Sequence, residues 1–418
     1  MRRNAFVKAA GLGAAALLAV AACGGGGGDD SGSGGDTSAL KLGYVLPETG
    51  DLAYLGPPQV EAMNLAIKEI NDAGGVLDND IADPVGGDEA NDQAIASQSA
   101  DRVLGKDVDA IIGAAASGMS LAIIDKITGA GVIQCSGSNT APTFTDYDDD
   151  GYYFRTAPSD ALQGPVLADV IVGDGHSNVA VVARADDYGK GLADATAKSL
   201  EQAGANVALN ETYDPKATDF SSTVSKIVSS DPDAVVIVAF EEGAQIMKGL
   251  IEKGLEPPET GIYGADGLRS EQLGKSVDKS DPGVIDGVKG TAPASSDNPD
   301  FLKELKDFAP DLEETQFAPQ VYDCVNVIAL AAEAAESTDP GDIKEEMNGV
   351  TKDGEKCTNF EECKKLLDDG EDINYDGASG PLDFVDVGEP GTASIEVYGY
   401  DDGGKLSTLD TRDAKPVE

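Results

Sequence analysis

The sequence predicts an α/β protein with two similar lobes, each a parallel sheet covered on both faces by helices. In DVDAIIGAAASG and DPDAVVIVAFEEG, an acidic turn leads into a β-branched run that ends in a loop. Each run is too apolar for a half-exposed strand and indicates a strand buried in a parallel sheet. Three pairs of segments repeat in this way and in the same order: 107–118 with 231–243, 41–56 with 178–191, and 130–142 with 260–269. The repeats predict a duplicated architecture.

The first 22 residues are typical of a signal peptide. Arg2, Arg3 and Lys8 precede a small, apolar stretch, Gly11–Ala22. This stretch is well short of the roughly 20 residues that a membrane-spanning helix needs, so we expect residues 1–22 to be removed on export. The paired arginines leave open whether export follows the general or the twin-arginine route.

The residues that follow predict an anchor and a spacer. Leu18–Gly24 resembles the lipobox of bacterial lipoproteins, which makes Cys23 the predicted lipid attachment site. Residues 23–39 are rich in Gly, Ser and Asp and have little apolar surface to bury, so they predict a flexible tether. We therefore expect a chain outside the cytoplasm, held to the outer face of the cell membrane by its N-terminal lipid alone.

The charge of the chain excludes some partners. The formal net charge is −46, which excludes nucleic acid and an anionic membrane surface as electrostatic partners. The acidic residues are scattered without the spacing of a calcium-binding loop, so they favour an acidic surface suited to a saline habitat over a store for cations. We expect mutual repulsion to make the stability depend on salt.

Four further cysteines follow Cys23. Cys357 and Cys363 enclose a short polar loop, and a local disulfide is expected in an exported protein. Cys135 and Cys324 lie in apolar settings, which leaves two buried thiols and a second disulfide as alternatives. The only histidine, His176, is far from the other candidate ligands in the sequence, so no metal site is predicted.

Helical spacing alternates with the predicted strands. Strand followed by helix, repeated six times, predicts parallel sheets, and ligands bind such sheets beyond the carboxyl ends of the strands. Two lobes whose strand ends face each other would form a cleft. The predicted helices are Gln59–Ala73, Ser97–Leu104, Met119–Thr128, Gly189–Ala203, Phe220–Ser229 and Ala244–Lys253.

Several segments in order along the chain carry a family resemblance. They include RTAPSDALQG (155–164), DDYGKG (186–191), YGADG (263–267) and YDGASGPLDF (375–384). Together they resemble the branched-chain amino-acid type of periplasmic substrate-binding protein, the binding component of an ABC importer. The resemblance covers nearly all of the chain that follows the tether.

The resemblance implies the type I periplasmic-binding-protein fold, with two three-layer α/β/α lobes joined by a three-segment hinge. The hinge segments are expected near Pro158, Thr291 and Gly388. Lobe 1 would comprise residues 40–158 and 292–388, lobe 2 residues 159–291 and 389–410, and the tail residues 411–418.

The resemblance also implies how an amino acid would be held. Its carboxylate would meet Ser117, Ser138 and Thr140, and its ammonium would meet Asp266. Tyr188 would pack over the ligand.

Two further positions are expected to line the cleft. Phe240 is one, and the other is Tyr54 or its neighbour Leu55.

The function expected from these features is capture of an amino acid, branched-chain or otherwise apolar, and its delivery to an ABC permease and ATPase. The protein would act as a monomer without a cofactor. There are two alternatives. The protein would bind a short amide, urea or an aromatic acid, or it would serve as a ligand sensor for a signalling receptor. The chain has no nucleophile elbow, phosphate loop or metal-ligand cluster in its sequence, so we do not expect an enzyme.

Overall fold

The computed structural model describes residues 38–257, 259–294 and 298–415. The predicted signal peptide, Cys23 and nearly all of the predicted tether lie outside the described residues. Within the described segments, no helix combines the length and the apolar character needed to cross a bilayer.

The first sheet has four parallel strands: β1 (Leu42–Val45), β2 (Ala110–Gly113), β3 (Ile133–Ser136) and β4 (Tyr153–Arg155). They are adjacent in that order. Segment 85–88 adds single parallel bridges along the free edge of β1. The residues of β2 and β3 are all buried, as expected for strands with helices on both faces.

The second sheet has seven strands: β5 (Asn178–Arg184), β6 (Asn206–Tyr213), β7 (Ala234–Val238), β8 (Gly261–Gly264), β9 (Lys289–Pro293), β13 (Ala393–Tyr400) and β14 (Leu406–Ala414). Its first five strands run in the order β6-β5-β7-β8-β9. The first sheet has the same order, with segment 85–88 in the place of β6. The predicted duplication is therefore confirmed, with β2 and β7 as the repeated strands.

The far edge of the second sheet departs from the prediction. There β13 pairs antiparallel with both β9 and β14, whereas the sequence predicts parallel strands only. The short connection between β13 and β14 explains why these two strands are antiparallel, because a few residues can join antiparallel strands but not parallel ones. β14 also runs to Ala414, so much of the segment predicted as a tail from residue 411 belongs to a strand.

A third, small sheet contains β10 (Glu355–Cys357), β11 (Ile373–Gly377) and β12 (Gly380–Pro381). It was not predicted from the sequence. Cys357 at the end of β10 forms a disulfide with Cys363, which is the pairing expected from their spacing.

The helices in the described segments are α1 (Gly56–Asp72), α2 (Gln93–Leu104), α3 (Ser117–Thr128), α4 (Asp160–Gly173), α5 (Asp187–Gln202), α6 (Ser221–Ser229), α7 (Gly243–Ile251), α8 (Leu273–Val277), α9 (Pro299–Phe308), α10 (Ala318–Ala335), α11 (Pro340–Glu346) and α12 (Phe360–Asp368). Each of the six predicted helices is present, but several begin earlier than expected. α2 begins four residues early because Asp92 caps it, accepting hydrogen bonds from the backbone amides of Ala94 and Ile95.

A second disulfide joins Cys135 to Cys324, 189 residues apart in sequence, and decides between the two alternatives left open above. Cys135 lies on β3 and Cys324 on α10, and both are fully buried. The bond therefore links the strand that leads to Ser138 with the long helix packed against the first sheet.

The predicted chain crossings between the lobes can be compared with the sheets. The first, near Pro158, falls between β4 of the first sheet and α4, which packs on the second. The second was expected near Thr291, which lies inside β9. Ala292 and Pro293 still pair with β13, so the chain leaves the second sheet only after Pro293.

Candidate functional site

A small cavity lies where the loops of the two sheets meet. Five of the seven residues predicted to bind ligand line it: Ser117, Ser138, Tyr188, Phe240 and Asp266. They follow β2, β3, β5, β7 and β8 respectively, so they lie beyond the carboxyl ends of the strands. Water-sized molecules have about 20 Å³ of space in the cavity, which is room for one or two waters.

The other two predicted residues, Thr140 and Tyr54, do not line the cavity. Leu55, the alternative to Tyr54, does line it, together with Leu52 and Phe317. The Tyr54 hydroxyl instead donates a hydrogen bond to the carbonyl of Gly267 at 3.0 Å. Tyr54 therefore joins a loop of the first sheet to a loop of the second.

Ser117 and Ser138 have different hydrogen bonds. Ser117 is the first residue of α3, and its hydroxyl oxygen accepts a bond from the backbone amide of Ala141 at 3.3 Å. Its own proton can therefore be donated to a ligand. Ser138 lies within hydrogen-bonding distance of the Ala115 carbonyl, 3.2 Å, and of Gln59 Oε1, 3.3 Å. Because both neighbours are acceptors, the Ser138 proton is already used within the protein.

A carboxylate that the sequence did not single out, Glu89, lies beside the same loop. Its two oxygens accept hydrogen bonds from the backbone amides of Ala115, at 2.6 Å, and Ala116, at 3.2 Å. Burial raises the pKa of Glu89 to about 8, although the two amides favour the charged form. These two amides are therefore occupied by the protein itself, and a ligand carboxylate would have to use other donors at the start of α3. The only sequence signal is an acidic residue in the turn before α2.

Asp266 is buried at the start of a short turn after β8. One oxygen, Oδ1, accepts hydrogen bonds from the Tyr188 hydroxyl at 2.8 Å and from Gln163 Nε2 at 3.0 Å. The other oxygen, Oδ2, takes no part in these bonds. Burial raises the pKa of Asp266 to about 6, and the two donors partly oppose this by stabilising the charge.

A second buried carboxylate, Asp160, lies close to Asp266 and was also missed. It is the first residue of α4, and among the described residues neither of its oxygens has a hydrogen bond of good geometry. Burial, and next the Asp266 carboxylate, raise the pKa of Asp160 well above its ordinary value, whereas the Thr140 hydroxyl and Arg155 lower it. The backbone amide of Asp160 donates to the Thr140 carbonyl at 2.7 Å. Asp266 lines the cavity, and Asp160 lies close to Asp266 without lining it.

One wall of the cavity is aromatic. The rings of Tyr188 and Phe240 are stacked with centroids 5.3 Å apart and planes 17° apart. The guanidinium of Arg184 also lies over the Phe240 ring, with its Cζ 3.4 Å from the ring centroid. With Leu52, Leu55 and Phe317 across the cavity, this wall gives the site an apolar portion beside its polar end.

In the part of the chain that the structure describes, no group of three His, Cys, Asp or Glu side chains could hold a metal ion. The residues that line the cavity are instead suited to a small molecule with a cationic group near Asp266, an anionic group near α3 and an apolar remainder.

The sequence model of the periplasmic binding proteins matches residues 39–364 of the chain. The chain belongs to the periplasmic binding protein family. It is therefore a solute-binding protein of the extracytoplasmic compartment rather than an enzyme. The matched residues include every predicted site residue that follows the tether.

Among curated relatives, this periplasmic binding protein is 24% identical over 366 residues to Leu/Ile/Val-binding protein homolog 3 of Brucella melitensis, an alignment that covers 87% of this chain and 92% of the relative. It is 28% identical over 310 residues to homolog 1 of the same organism, with 73% and 81% covered.

Solved structures share the fold of this periplasmic binding protein. The leucine-binding protein LivK of Thermotoga maritima has a TM-score of 0.75 at 22% identity, with 90% of this chain and 99% of that chain covered. LivJ of Streptococcus pneumoniae in complex with isoleucine has a TM-score of 0.73 at 23% identity, with 91% and 100% covered. A solute-binding protein of R. palustris in complex with benzoate has a TM-score of 0.73 at 19% identity, with 91% and 98% covered. These matches confirm the predicted type I fold.

Proposed function

We propose that the protein captures an amino acid with a branched-chain or other apolar side chain in this cavity and delivers it to an ABC importer. The observation that carries the proposal is Asp266, a buried carboxylate that borders an otherwise largely apolar cavity. An enclosed carboxylate is stabilised by a cationic partner, and an amino acid supplies one in its ammonium group. The names of the Leu/Ile/Val-binding relatives support the same ligand class.

The carboxylate of the ligand would lie at the opposite end, near the start of α3. The Ser117 hydroxyl has a proton to donate there, and the helix N-terminus favours negative charge. The amides of Ala115 and Ala116 are excluded from this role by Glu89. Ser138 would contribute only after its hydroxyl proton reorients, and Thr140 does not line the cavity.

The side chain of the ligand would occupy the apolar portion of the site. Leu52, Leu55 and Phe317 face it from the first-sheet side, and the stacked rings of Tyr188 and Phe240 face it from the second. An aliphatic side chain would bind well in such surroundings, because each Å² of apolar surface removed from water contributes about 25 cal/mol of favourable free energy.

Capture would follow closure of the two lobes about the hinge. Besides the Tyr54 bond to Gly267, Gln316 Nε2 donates to the backbone carbonyl of Asp266 at 2.9 Å. The loops of the two sheets are therefore in contact. The cavity between them has less free space than an amino acid needs, so binding would require the lobes to separate at least in part. A ligand favours the closed form only to the extent that it binds that form more tightly.

In the same proposal the mature protein is a monomer anchored by a lipid on Cys23, and its closed form docks on the permease and ATPase of the importer. The segment between Cys23 and the folded body would supply the reach that docking requires. Metabolic labelling with a fatty-acid analogue, compared between the wild type and Cys23→Ala, tests the anchor.

An aromatic acid is the second candidate, because a neighbour of the same fold binds benzoate. Benzoate carries a negative charge and has no cation to offer Asp266. The Asp266 carboxylate in the cavity wall therefore favours the amino acid.

A thermal-shift screen tests the proposal, with amino acids, short amides, urea and aromatic acids as probes. We expect leucine, isoleucine or valine to raise the melting temperature. Calorimetry on Asp266→Asn should then show at least a hundredfold weaker binding, since loss of one partner of a buried charge pair costs about 3–5 kcal/mol.

The matched control is Asp323→Asn. Asp323 is equally buried, its pKa is also raised to about 6 by burial, and it also accepts a bond from a tyrosine hydroxyl, that of Tyr375. It does not line the cavity, so its replacement should leave the affinity unchanged. If no amino acid raises the melting temperature while an amide or aromatic acid does, the proposed ligand class is wrong.

A further inference from the structure

Arg184 lies at the end of β5, directly behind the aromatic wall of the cavity. Its side chain is 2% exposed. Nε donates to Asp186, and Nη1 donates to Glu242 Oε1 at 2.9 Å. The Tyr213 hydroxyl donates to the same Glu242 oxygen at 3.0 Å. The guanidinium is therefore fixed in position by two carboxylates, one of which is itself held by a tyrosine.

The guanidinium forms the rear layer of a stack that ends at the ligand site. Arg184 Cζ lies 3.4 Å from the centroid of Phe240, and Phe240 in turn stacks on Tyr188. The Tyr188 hydroxyl then donates to Asp266. Arg184 does not line the cavity, whereas the other three residues do. A planar cation over an aromatic face is an attractive arrangement that also orients the ring.

The backbone around the stack leaves little space for the ring of Phe240 to move. A Cβ added to Gly267 would lie 2.6 Å from Cδ1 of that ring, so the loop after β8 closes on its edge. A Cβ added to Gly189 would lie 2.6 Å from Cγ of Arg184, so the start of α5 packs closely on the arginine stem. Arg184 and Tyr188 therefore both pack on the ring of Phe240, and Gly267 closes on its edge.

We infer that Arg184 is a positioning residue for ligand selection: it holds Phe240 against Tyr188 and so sets the shape of the wall that meets the ligand side chain. The inference rests on the proposed function for the identity of the ligand. Arg184 would thus affect discrimination between amino acids of similar size without touching them.

Arg184→Lys is the test, because lysine keeps the charge beside Asp186 and Glu242 but lacks the planar group that stacks on a ring. Calorimetry with leucine and valine as probes gives the ratio of the two dissociation constants. We expect the affinity for leucine to fall roughly tenfold and the ratio to shift at least about threefold, in the range that a desolvated cation–π contact can supply.

Arg269→Lys is the matched control. Arg269 also pairs with two carboxylates, those of Glu396 and Glu314, and is largely buried. Among the described residues its guanidinium stacks on no aromatic ring. Both variants should lose stability in urea, but only Arg184→Lys should change the ratio. Equal losses of stability with both ratios unchanged would show that Arg184 is structural only.

A double variant identifies the route of the effect. If Arg184 acts through the ring, Arg184→Lys combined with Phe240→Leu should have the same ratio as Phe240→Leu alone. Additive changes would overturn the inference. Should Arg184→Lys fail to fold, Glu242→Gln loosens the guanidinium while keeping it, and an unchanged ratio in that variant would contradict the inference.

Failure of the proposed function has a different signature. If the wild type binds none of the amino acids but binds another solute in the screen, the proposed ligand class is wrong. The ratio measured for that solute and its next smaller homologue then still tests Arg184.

Discussion

Replacement of Asp160 by asparagine should stabilise the protein, although the residue is fully buried. Asp160 sits beside Asp266 with neither carboxylate oxygen in a hydrogen bond of good geometry among the described residues. Asparagine has the same shape and no charge. Its amide can donate to the neighbouring Thr140 Oγ1, which also has no hydrogen bond of good geometry in the described segments.

The size of the stabilisation follows from the free-energy cost of burying the carboxylate that is removed. A buried polar atom without a partner costs about 1–3 kcal/mol, and more when it is charged. We therefore expect Asp160→Asn to raise the free energy of unfolding by about 1–3 kcal/mol near neutral pH. In a chain of this length that gain raises the melting temperature by roughly 1–4 °C.

The gain should depend on pH in a definite direction. Burial raises the pKa of Asp160 above its ordinary value of 3.8, so the folded state binds the proton more tightly than the unfolded state does. Such a group destabilises the fold increasingly as the pH rises from the unfolded pKa toward the folded one. Removing the group should therefore stabilise the protein more at pH 8 than at pH 5.

Urea unfolding followed by circular dichroism, at pH 5 and pH 8 and constant ionic strength, measures both values. Asp323→Asn is the control with the opposite sign. The Asp323 carboxylate accepts bonds of 2.8 Å from Tyr375 and from the amides of Ala378 and Ser379, so its loss should destabilise the fold. The reasoning is refuted if Asp160→Asn is less stable than the wild type at pH 8, or gains more at pH 5.

Three further outcomes are expected. Glu89→Gln should lower the free energy of unfolding by about 1–3 kcal/mol, because glutamine has one oxygen to accept from two buried amides; an unchanged urea midpoint would contradict this. Cys135→Ala with Cys324→Ala should cost about 2–5 kcal/mol, and more than Cys357→Ala with Cys363→Ala, because the first disulfide closes a loop of 189 residues and the second a loop of 6. Equal losses in urea would rule out the loop-length argument. The net charge of −46 predicts a urea midpoint that rises from dilute buffer to molar salt, and a constant midpoint would exclude charge repulsion as a factor.

The repeated strands could be predicted because their signal is local. The runs around Ile111 and Val236 are apolar on both faces of the strand, and this pattern needs no knowledge of distant residues. The antiparallel edge was missed because β13 and β14 follow a long stretch with no counterpart in the repeat. The pairing of β13 with β9 depends on contacts across about 100 residues of sequence.

The site was predicted less completely for the same reason. Ser117, Tyr188 and Asp266 follow predicted strands, so topology alone brings them together. The roles of Glu89 and Asp160 depend on residues that are distant in sequence. Nothing in the sequence near them shows that Glu89 would accept bonds from two amides or that Asp160 would have no hydrogen bond of good geometry. Tyr54 and Leu55 are adjacent, and only the turn of the backbone before α1 decides which of them faces the cavity.

The bonds from Tyr54 to Gly267 and from Gln316 to Asp266 do not involve a ligand. Both must break before a captured molecule can leave. In the proposed role, a solute-bound form that keeps these bonds would open more slowly by the same factor for every solute, whatever its side chain. Differences in release rate between solutes would then come from their own contacts with the cavity.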